Sequence, residues 1–353
     1  MAMNGSPPSL LDATRLPRRL ASVAELEDLL SQPTQALIDD LAQVDGDLMI
    51  LGVAGKMGPT LARLAKRASP HRRVVGVARF SDPKVRERLE AWGVETIAAD
   101  LLDPAALASL PRPPNIVFAA GHKFGATGNL PLTWAMNTWV PSGVAQVFRA
   151  SRIVAISTGN VYPLTASASS GATEATALSP IGEYAQSCVG RERMFEHFSA
   201  QHATPGRIVR LNYAIDLRYG VLLDIATRVA AGTAIDVTMG HVNVIWQGDA
   251  NAQILRCLRH CTDPTTPINC TGAQTLSVRW LAQQFGQRLG KPAHIVGQEA
   301  DTALLSDTTQ ACALFGEPVV PLTAMLDWVA DWVASDGPTY NKPTKFETRD
   351  GRF

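Results

Sequence analysis

From Asp47 onward, short apolar runs alternate with segments whose apolar residues recur at helical spacing. The first run, Leu48–Leu51, is fully apolar and ends in glycine, as a strand buried on both faces does. Further runs predict strands at 74–77, 96–98, 115–120, 152–157 and 206–211. The segments between them predict helices at 58–68, 82–92, 104–110, 131–150 and 183–199. Such alternation forms βαβ units, so we predict an α/β fold with a doubly wound parallel sheet and a ligand site at the carboxyl ends of its strands.

The pattern divides the chain into four parts. Residues 1–46 contain a tail and two short helical segments, which we interpret as an N-terminal helical extension. Residues 47–212 carry the alternation of strands and helices. In residues 213–335 the alternation of strands and helices becomes irregular. This predicts a smaller, mostly C-terminal lobe that closes over the sheet and binds the substrate. Residues 336–353 are polar and are interpreted as a C-terminal tail.

Composition limits the classes of function. Apolar residues make up 46% of the 353 residues and charged residues 18%, so the chain can bury a large core. Lysine plus arginine equals aspartate plus glutamate, at 32 each, which argues against nucleic acid or an anionic membrane as a partner. No apolar run is long enough to span a bilayer, and residues 1–20 lack the apolar core of a secretory signal.

The cysteines indicate a reducing environment and no metal centre. Their number, 5, is odd, which predicts reduced thiols and a cytoplasmic location. Cys257, His260 and Cys261 lie close together, but no second ligand pair follows at zinc spacing. We therefore expect no metal site.

The strongest local motif is a glycine-rich segment that follows the first strand and opens the next helix. Its glycines have the spacing G-x-x-G-x-x-G. Glycine allows a tight turn and lets a pyrophosphate approach bare backbone, while the helix N-terminus offers unpaired N–H groups. The segment therefore predicts a Rossmann-type dinucleotide site. The loop residues expected there are Gly52, Ala54, Gly55, Lys56, Met57 and Gly58.

The end of the second strand bears on the choice of cofactor. An acidic residue at this point would bind the adenosine ribose and favour NAD. The strand instead ends in Ala78-Arg79-Phe80, and the Arg79 guanidinium can bind a 2′-phosphate. Lys56 is a candidate for a second positive charge there. We therefore predict NADP as the cofactor, with NAD as the alternative.

Several segments together resemble the extended short-chain dehydrogenase/reductase superfamily, the NAD(P)-dependent epimerases and dehydratases. The resemblance covers roughly residues 47–335. Beside the glycine spacing, it rests on Asp100-Leu101, Phe118-Ala119-Ala120-Gly121, Asn137, Ser157-Thr158-Gly159-Asn160-Val161-Tyr162, Tyr184 and Arg210-Leu211-Asn212. It implies that Asp100-Leu101 contacts the adenine. It also implies that Ala119-Ala120-Gly121 passes beneath the nicotinamide ribose.

The resemblance assigns catalytic roles to two residues. Thr158 takes the place of the family's catalytic serine or threonine, and Tyr184 takes that of its catalytic tyrosine. In the family's Y-x-x-x-K motif, the lysine binds the nicotinamide ribose and lowers the pKa of the tyrosine, whereas this chain has Cys188 at that position. The resemblance still places Tyr184 and Cys188 among the residues expected to contact the cofactor. A thiol cannot supply the positive charge that favours a phenolate.

Another cation can replace the missing lysine. Lys123 resembles a lysine that some sugar epimerases carry beside the active site, and His122 adjoins it. Arg191 lies two helical turns beyond Tyr184, but we expect it to point along the helix and away from the ring. We therefore predict a catalytic set of Thr158, Tyr184 and Lys123, with the alternative that Lys123 and His122 are loop residues without a catalytic part.

The resemblance also implies the class of substrate. A sugar or nucleotide sugar is expected, bound in part by the loops 213–219 and 240–247. The residues expected to contact the substrate are His122, Asn160, Asn212, Arg218, His241 and Asn243. The family often dimerises through two helices, which correspond here to 131–150 and 183–199, so we expect a homodimer.

Three functions remain open from the sequence. The first is an NAD(P)-dependent oxidoreductase or epimerase that acts on a hydroxylated, sugar-like small molecule by hydride transfer. The second is a catalytically weakened NADP(H) sensor or scaffold, because Cys188 replaces the lysine. The third is a dehydratase or lyase that uses the dinucleotide transiently, for which Glu174 and Glu183 are the carboxylates nearest to Thr158 in the sequence.

Overall fold

The structure, a computed structural model, describes residues 9–123 and 128–351. The strands, numbered in chain order, are β1 (Leu48–Leu51), β2 (Val74–Ala78), β3 (Glu95–Ala98), β4 (Asn115–Phe118), β5 (Arg152–Thr158), β6 (Thr165–Ala166), β7 (Gly206–Leu211), β8 (Ala214–Ile215), β9 (Ile235–Asp236), β10 (His241–Val242), β11 (Ile245–Trp246), β12 (Thr266–Cys270), β13 (Leu276–Ser277), β14 (Ile295–Val296) and β15 (Thr302–Ala303). The α-helices are α1 (Val23–Leu30), α2 (Gln35–Ala42), α3 (Gly58–Ala68), α4 (Pro83–Ala91), α5 (Pro104–Ser109), α6 (Leu130–Trp134), α7 (Val140–Val147), α8 (Gly182–His202), α9 (Val221–Ala231), α10 (Gln247–Arg256), α11 (Val278–Leu289), α12 (Thr309–Phe315) and α13 (Leu322–Ala334).

A parallel sheet of 7 strands forms the centre of the fold, in the order β12-β7-β5-β4-β1-β2-β3. The first strand, β1, pairs with β2 on one side and with β4 on the other, so the winding of the chain reverses between β1 and β4. These observations confirm the predicted doubly wound, Rossmann-type α/β fold. In such sheets the ligand binds outside the carboxyl ends of the strands at this reversal.

The side chains of β1 alternate between two apolar layers. Leu48 and Ile50 pack in the layer that contains α3 and α10. Met49 and Leu51 pack in the opposite layer, with α5, α7 and α8. All four side chains are fully buried. The continuous apolar run is thus explained by helices that cover both faces of a parallel sheet.

Two parts of the fold differ from the sequence prediction. The strand β12, which pairs with β7 and completes the sheet, was not predicted because Pro267 and Asn269 interrupt its apolar pattern. The helix predicted at 131–150 consists of α6, a π-helical segment at Ala135–Trp139, and α7. The π-helical segment contains Asn137, which reaches the candidate site.

Both terminal segments pack onto the C-terminal lobe. Leu26 and Leu30 of α1 belong to the same buried cluster as Trp328 of α13. Phe346 of the tail is 1% exposed and joins this cluster, so the tail wraps around the lobe instead of leaving it. The outermost residues of the predicted terminal segments, 1–8 and 352–353, lie outside the described residues.

Candidate active site

Two adjoining cavities lie at the carboxyl ends of the central strands. The first, named the Arg79 cavity, has a volume of about 370 Å³, and its lining includes Gly52, Ala54, Arg79, Asp100 and Leu101. The second, named the Tyr184 cavity, has a volume of about 320 Å³, and its lining includes Lys56, Met57, Gly58, Lys123, Thr158 and Tyr184. His122, Asn160 and Asn212 also line the Tyr184 cavity. Both cavities share Gly55 and the turn Ala119-Ala120-Gly121, so they form one continuous groove.

The glycine loop is shaped by contacts that exclude side chains. Gly52 has φ +87°, and a Cβ there would lie 2.6 Å from the Cα of Ala120. A Cβ on Gly58 would lie 2.1 Å from the carbonyl oxygen of Val53. At Gly55, in contrast, the nearest atom to a Cβ is the Gly52 carbonyl oxygen at 3.4 Å, so the fold itself leaves room there. The open space at Gly55 faces the groove, where a ligand can approach bare backbone.

The N-terminus of α3 is a second feature, beside the open backbone at Gly55, that favours the binding of an anion. Met57 precedes the helix, and no side chain caps its first N–H groups. An uncapped helix N-terminus that opens on a cavity attracts a negatively charged group. The residues present therefore fit a dinucleotide pyrophosphate on the loop.

The two basic residues predicted to hold a 2′-phosphate lie at opposite ends of the groove. Arg79 is exposed and lines the cavity that also contains Asp100 and Leu101. Lys56 lies in the Tyr184 cavity, where its Nζ donates a hydrogen bond of 2.9 Å to the carbonyl oxygen of Ala214. The prediction that Lys56 adds a second charge beside Arg79 is therefore wrong, because its side chain turns toward the lobe.

Tyr184 lies in the first turn of α8 and contacts the residues expected to assist it. The side chains of Thr158 and Cys188 lie close enough to its hydroxyl to influence its pKa. Thr158 is the last residue of β5, and its hydroxyl also accepts a hydrogen bond of 3.2 Å from the Asn160 N–H. The Lys123 ammonium lies 5.8 Å from the centre of the Tyr184 ring. The structure thus brings the three predicted catalytic residues together.

Burial controls the protonation of this group. Burial and the neighbouring Cys188 raise the pKa of Tyr184 well above its ordinary range, although Arg191 and Thr158 oppose the shift. Burial also raises the pKa of the Cys188 thiol, and it lowers the pKa of Lys123 to about 8. At neutral pH the tyrosine is therefore a phenol, the cysteine is a thiol, and the lysine is mainly charged. A neutral phenol in this position can donate a proton.

Asn137 connects the turn after β4 to α8. Its side chain accepts a 2.9 Å hydrogen bond from the N–H of His122 and donates one of 3.1 Å to the His122 carbonyl. It also accepts a hydrogen bond of 2.6 Å from Arg191 Nη2. Arg191 lines the Tyr184 cavity and is only 5% exposed. Arg191, which was expected to point along the helix, instead reaches the cavity wall, where Asn137 and the Ile156 carbonyl hold its guanidinium.

Comparison with known proteins identifies the family. The model of the NAD dependent epimerase/dehydratase family matches residues 48–235, which is more than half of the chain. The chain belongs to this family. Its members are enzymes, and the extended short-chain dehydrogenase/reductase resemblance is confirmed. No protein with a curated description matches the chain by sequence.

Solved structures of epimerases and dehydratases share the fold. UDP-glucuronic acid 4-epimerase from Bacillus cereus in complex with NAD is 16% identical with a TM-score of 0.67, over 82% of this chain and 99% of that chain. UDP-glucose 4-epimerase from Thermotoga maritima is 17% identical with a TM-score of 0.68, over 82% and 99%. The dTDP-glucose 4,6-dehydratase of Streptomyces venezuelae, with NAD bound, is 19% identical with a TM-score of 0.69, over 82% and 97%. At these identities the likeness shows the fold alone.

Three of the residues that were predicted to contact the substrate line neither cavity. Arg218 is 6% exposed and forms ion pairs with Asp216 and Glu27, each at 2.8 Å. Asn243 is buried, donates to the Gln274 carbonyl and accepts from the N–H of Ser306. His241 belongs to β10 and lines neither cavity. The loop 240–247 is therefore part of the lobe's framework, because Asn243 is bound by partners distant in sequence and no residue of the loop lines either cavity.

Two other expectations about site residues need correction. Cys188 lines neither cavity, because it is fully buried behind Tyr184. Glu174 and Glu183, the carboxylates considered for a lyase, also lie outside the Tyr184 cavity. Glu174 accepts a hydrogen bond from the N–H of Asn269, and Glu183 accepts one from the indole of Trp134.

The C-terminal tail contributes a cavity residue that the sequence pattern does not reveal. Thr344 lines the Tyr184 cavity, and its backbone N–H donates a hydrogen bond of 2.8 Å to Asp224 of α9. Tyr213 and Tyr219, from a loop that was expected to contribute, line the same cavity. No local signal in a polar tail indicates such a position, because the contact depends on how the lobe is packed.

The described residues hold neither a metal centre nor a membrane span. Among residues 9–123 and 128–351, no group of three histidine, cysteine or acidic side chains is arranged to bind a metal ion. Within the same ranges, no helix is both long enough and apolar enough to cross a bilayer. All five cysteines are free thiols.

Proposed function

We propose that the chain binds a nicotinamide dinucleotide along the groove and acts as an oxidoreductase or epimerase on a hydroxylated small molecule. The adenosine would lie in the Arg79 cavity and the nicotinamide in the Tyr184 cavity. The observation that carries this proposal is that Thr158 and Tyr184 line one cavity, which opens directly from the glycine loop. When bound, the dinucleotide supplies or accepts a hydride at the substrate carbon.

Tyr184 and Thr158 would handle the oxygen of the substrate. In the direction of reduction, the Tyr184 phenol gives its proton to the carbonyl oxygen while a hydride reaches the carbonyl carbon. In the direction of oxidation, the tyrosine takes the hydroxyl proton back. Thr158 holds the same oxygen by a hydrogen bond. The raised pKa of Tyr184 supports the donor role at neutral pH.

Lys123 would supply the charge that Cys188 cannot. Its ammonium approaches the Tyr184 ring from the turn after β4, whereas the family's motif lysine would begin at the position of Cys188. A cation near the tyrosine favours the phenolate in the direction of oxidation. The missing motif lysine is therefore compatible with turnover.

NADP is the dinucleotide that we propose in preference to NAD. Arg79 is exposed at the end of β2 and lines the Arg79 cavity, where its guanidinium can bind a 2′-phosphate. Two of the solved structures named above, the UDP-glucuronic acid 4-epimerase and the dTDP-glucose 4,6-dehydratase, contain NAD, so the preference for NADP rests on Arg79 alone.

A homodimer formed through α6, α7 and α8 is also part of the proposal. Leu130, Trp134, Trp139 and Ile181 are large apolar side chains that remain exposed on or next to these helices. Trp139, at 61% exposed, is the most accessible of the four. Exposed apolar residues that cluster on one surface are typical of protein interfaces.

A substitution at Tyr184 tests the proposal. In a screen of hydroxylated and carbonyl compounds, such as sugars and nucleotide sugars, Tyr184→Phe should lower turnover at least about 100-fold. The same variant should bind the dinucleotide as tightly as the wild type. Tyr340→Phe, a tyrosine in the tail that packs on Arg218, serves as the matched control. Unchanged turnover in Tyr184→Phe would overturn the mechanism. If turnover is undetectable in the wild type while the dinucleotide binds, the sensor or scaffold function takes its place.

A further inference from the structure

Glu27 of α1, in the N-terminal extension, is a buried carboxylate shared by two arginines. It is 5% exposed, and it precedes residues 48–235, the segment that matches the family model. Its Oε1 accepts a hydrogen bond of 2.8 Å from Arg88 of α4 and another of 2.8 Å from Arg218 of the lobe. A buried charge is stable only when opposite charges and hydrogen bonds compensate it. Glu27 therefore fixes the position of both guanidinium groups.

Arg218 extends this contact to a turn at the wall of the Tyr184 cavity. Its backbone N–H, Nε and Nη2 donate to the side chain of Asp216 at 2.8, 3.1 and 2.8 Å. Asp216 and Tyr219 exchange two backbone hydrogen bonds, of 3.0 and 2.9 Å. Tyr219 lines the Tyr184 cavity. A continuous series of hydrogen bonds therefore joins Glu27 to the cavity wall.

Apolar packing holds α1 against the same turn. Leu26 and Leu30 of α1 belong to one buried cluster with Ile215 and Leu217, the two residues that flank Asp216. All four of these leucine and isoleucine side chains are fully buried. Close-packed interiors have few voids, so their side chains shift little relative to one another. The helix is therefore a fixed support from which Glu27 acts on Arg218.

The C-terminal tail also contacts Arg218. The N–H of Tyr340 donates a hydrogen bond of 3.0 Å to the Arg218 carbonyl, and the guanidinium lies 4.9 Å from the centre of the Tyr340 ring. Thr344, further along the tail, lines the Tyr184 cavity. Both terminal segments therefore meet at one arginine behind the cavity wall.

Tyr219 is the side chain through which the turn reaches the ligand space. Its ring lies 4.8 Å from the Nζ of Lys56, which belongs to the glycine loop. Thr158 and Tyr184, the proposed reacting groups, belong to other elements, β5 and α8. A displaced Tyr219 would therefore change how a substrate fits the cavity while the reacting groups keep their places.

We propose that Glu27 is a positioning residue for the substrate site, because through Arg218 it sets the turn that presents Tyr219 to the Tyr184 cavity. This inference rests on the proposed function, since it takes that cavity as the substrate site. It makes the N-terminal extension a part of the active-site architecture. Sites of this kind depend on supporting residues that hold the contact groups in place.

Fluorine NMR measures the position of Tyr219 directly. The chain has 5 tyrosines, so protein labelled with 3-fluorotyrosine gives few signals, and Tyr219→Phe identifies the one of interest. Glu27→Met removes the carboxylate with little change in side-chain volume and should shift the Tyr219 signal. Glu27→Gln keeps an acceptor oxygen but loses the charge, so it should shift the signal less. An unchanged signal from Tyr162, which is buried beside Asn269, reports that the fold is intact.

Arg88→Met is the matched control. It removes the other ion pair of Glu27 and leaves the pair with Arg218 in place. The Tyr219 signal should therefore keep its wild-type position in Arg88→Met. An equal shift in Arg88→Met and Glu27→Met would mean that α1 has loosened as a whole, and it would overturn the inference.

Steady-state kinetics relate this position to the substrate. With a substrate found in the screen described above, Glu27→Met should raise KM at least about tenfold, with kcat within about twofold of the wild type. Dinucleotide affinity should be unchanged, and Arg88→Met should alter none of these values.

The outcomes separate the inference from the proposed function. An unmoved Tyr219 signal in Glu27→Met, or in Glu27→Gln if the first variant does not fold, overturns the inference and leaves the proposed function standing. An unchanged KM in a variant whose signal has shifted also overturns it. If neither NADP nor NAD binds the wild type, the proposed function fails, and the inferred role in a substrate site fails with it, whatever the fluorine signal shows.

Discussion

The ammonium of Lys123 lies 5.8 Å from the centre of the Tyr184 ring, although the two residues belong to different elements. Lys123 comes from the turn after β4, whereas the family's motif lysine would lie on α8 at the position of Cys188. At that position this chain has the buried thiol of Cys188, which carries no positive charge. Lys123 is therefore a second source of the positive charge that is required beside Tyr184.

Replacing Lys123 tests this arrangement. Lys123→Met should lower the steady-state rate of dinucleotide-dependent turnover about 100-fold, because the phenolate loses its neighbouring cation. Cys188→Lys should restore part of the rate in the Lys123→Met background. In the wild-type background Cys188→Lys should bring no gain, because a second buried ammonium would repel the first. A large gain in the wild-type background would mean that Lys123 does not supply the charge.

Arg79 should determine the preference between the two dinucleotides. Arg79→Ala should weaken the binding of NADPH about tenfold and leave NADH nearly unchanged, because the lost contact is to the 2′-phosphate. Fluorescence titration of both dinucleotides measures the ratio, with Lys84→Met as the matched loss of charge on α4. Equal weakening of NADPH and NADH would place Arg79 against the adenine or the pyrophosphate instead.

The effect of Lys56 on stability should depend on pH. Burial lowers the pKa of Lys56 to about 8, so the folded protein loses this charge as the pH rises through 8, while the unfolded chain keeps it to a higher pH. The buried charge therefore destabilises the fold most at neutral pH, and this cost fades in the alkaline range. Relative to the wild type, the melting temperature of Lys56→Met should be higher at pH 7 than at pH 9.5. An equal difference at both pH values would contradict the lowered pKa of Lys56.

A buried ion pair supports the strand that leads to the site. Arg210 of β7 and Glu192 of α8 approach to 2.7 Å, with side chains only 4% and 0% exposed. Arg210→Met would leave a buried carboxylate without its main partner, so it should lower the free energy of unfolding by about 3–5 kcal/mol. Arg73→Met, which breaks an exposed pair with Glu95, should cost less than about 1 kcal/mol. Urea unfolding measures both values, and similar costs for the two variants would contradict this account of the pair.

The sequence predicts the strands, which depend on a local pattern of apolar residues. It does not predict side-chain positions that depend on contacts with residues distant in the sequence. The strands β1, β2, β4, β5 and β7 have apolar runs that a buried parallel sheet requires, so periodicity locates them. Arg218 looks like a free basic residue in the sequence, yet Glu27 from the N-terminal extension and Asp216 bind it in the core. The orientation of Lys56 toward Ala214 and the contribution of Thr344 likewise depend on how the lobe packs on the sheet. No spacing rule carries that information.

The most direct test of the central claim, that the glycine loop holds a nicotinamide dinucleotide, is a calorimetric titration of wild type and Gly55→Val with NADPH and NADH. The fold leaves room for a side chain at Gly55, but that side chain would occupy the groove where the pyrophosphate approaches. We predict that the wild type binds at least one dinucleotide in the micromolar range and that Gly55→Val, with an unchanged melting temperature, weakens this binding at least about 100-fold. Failure of the wild type to bind either dinucleotide at millimolar concentration, or equal binding by the variant, would contradict the account.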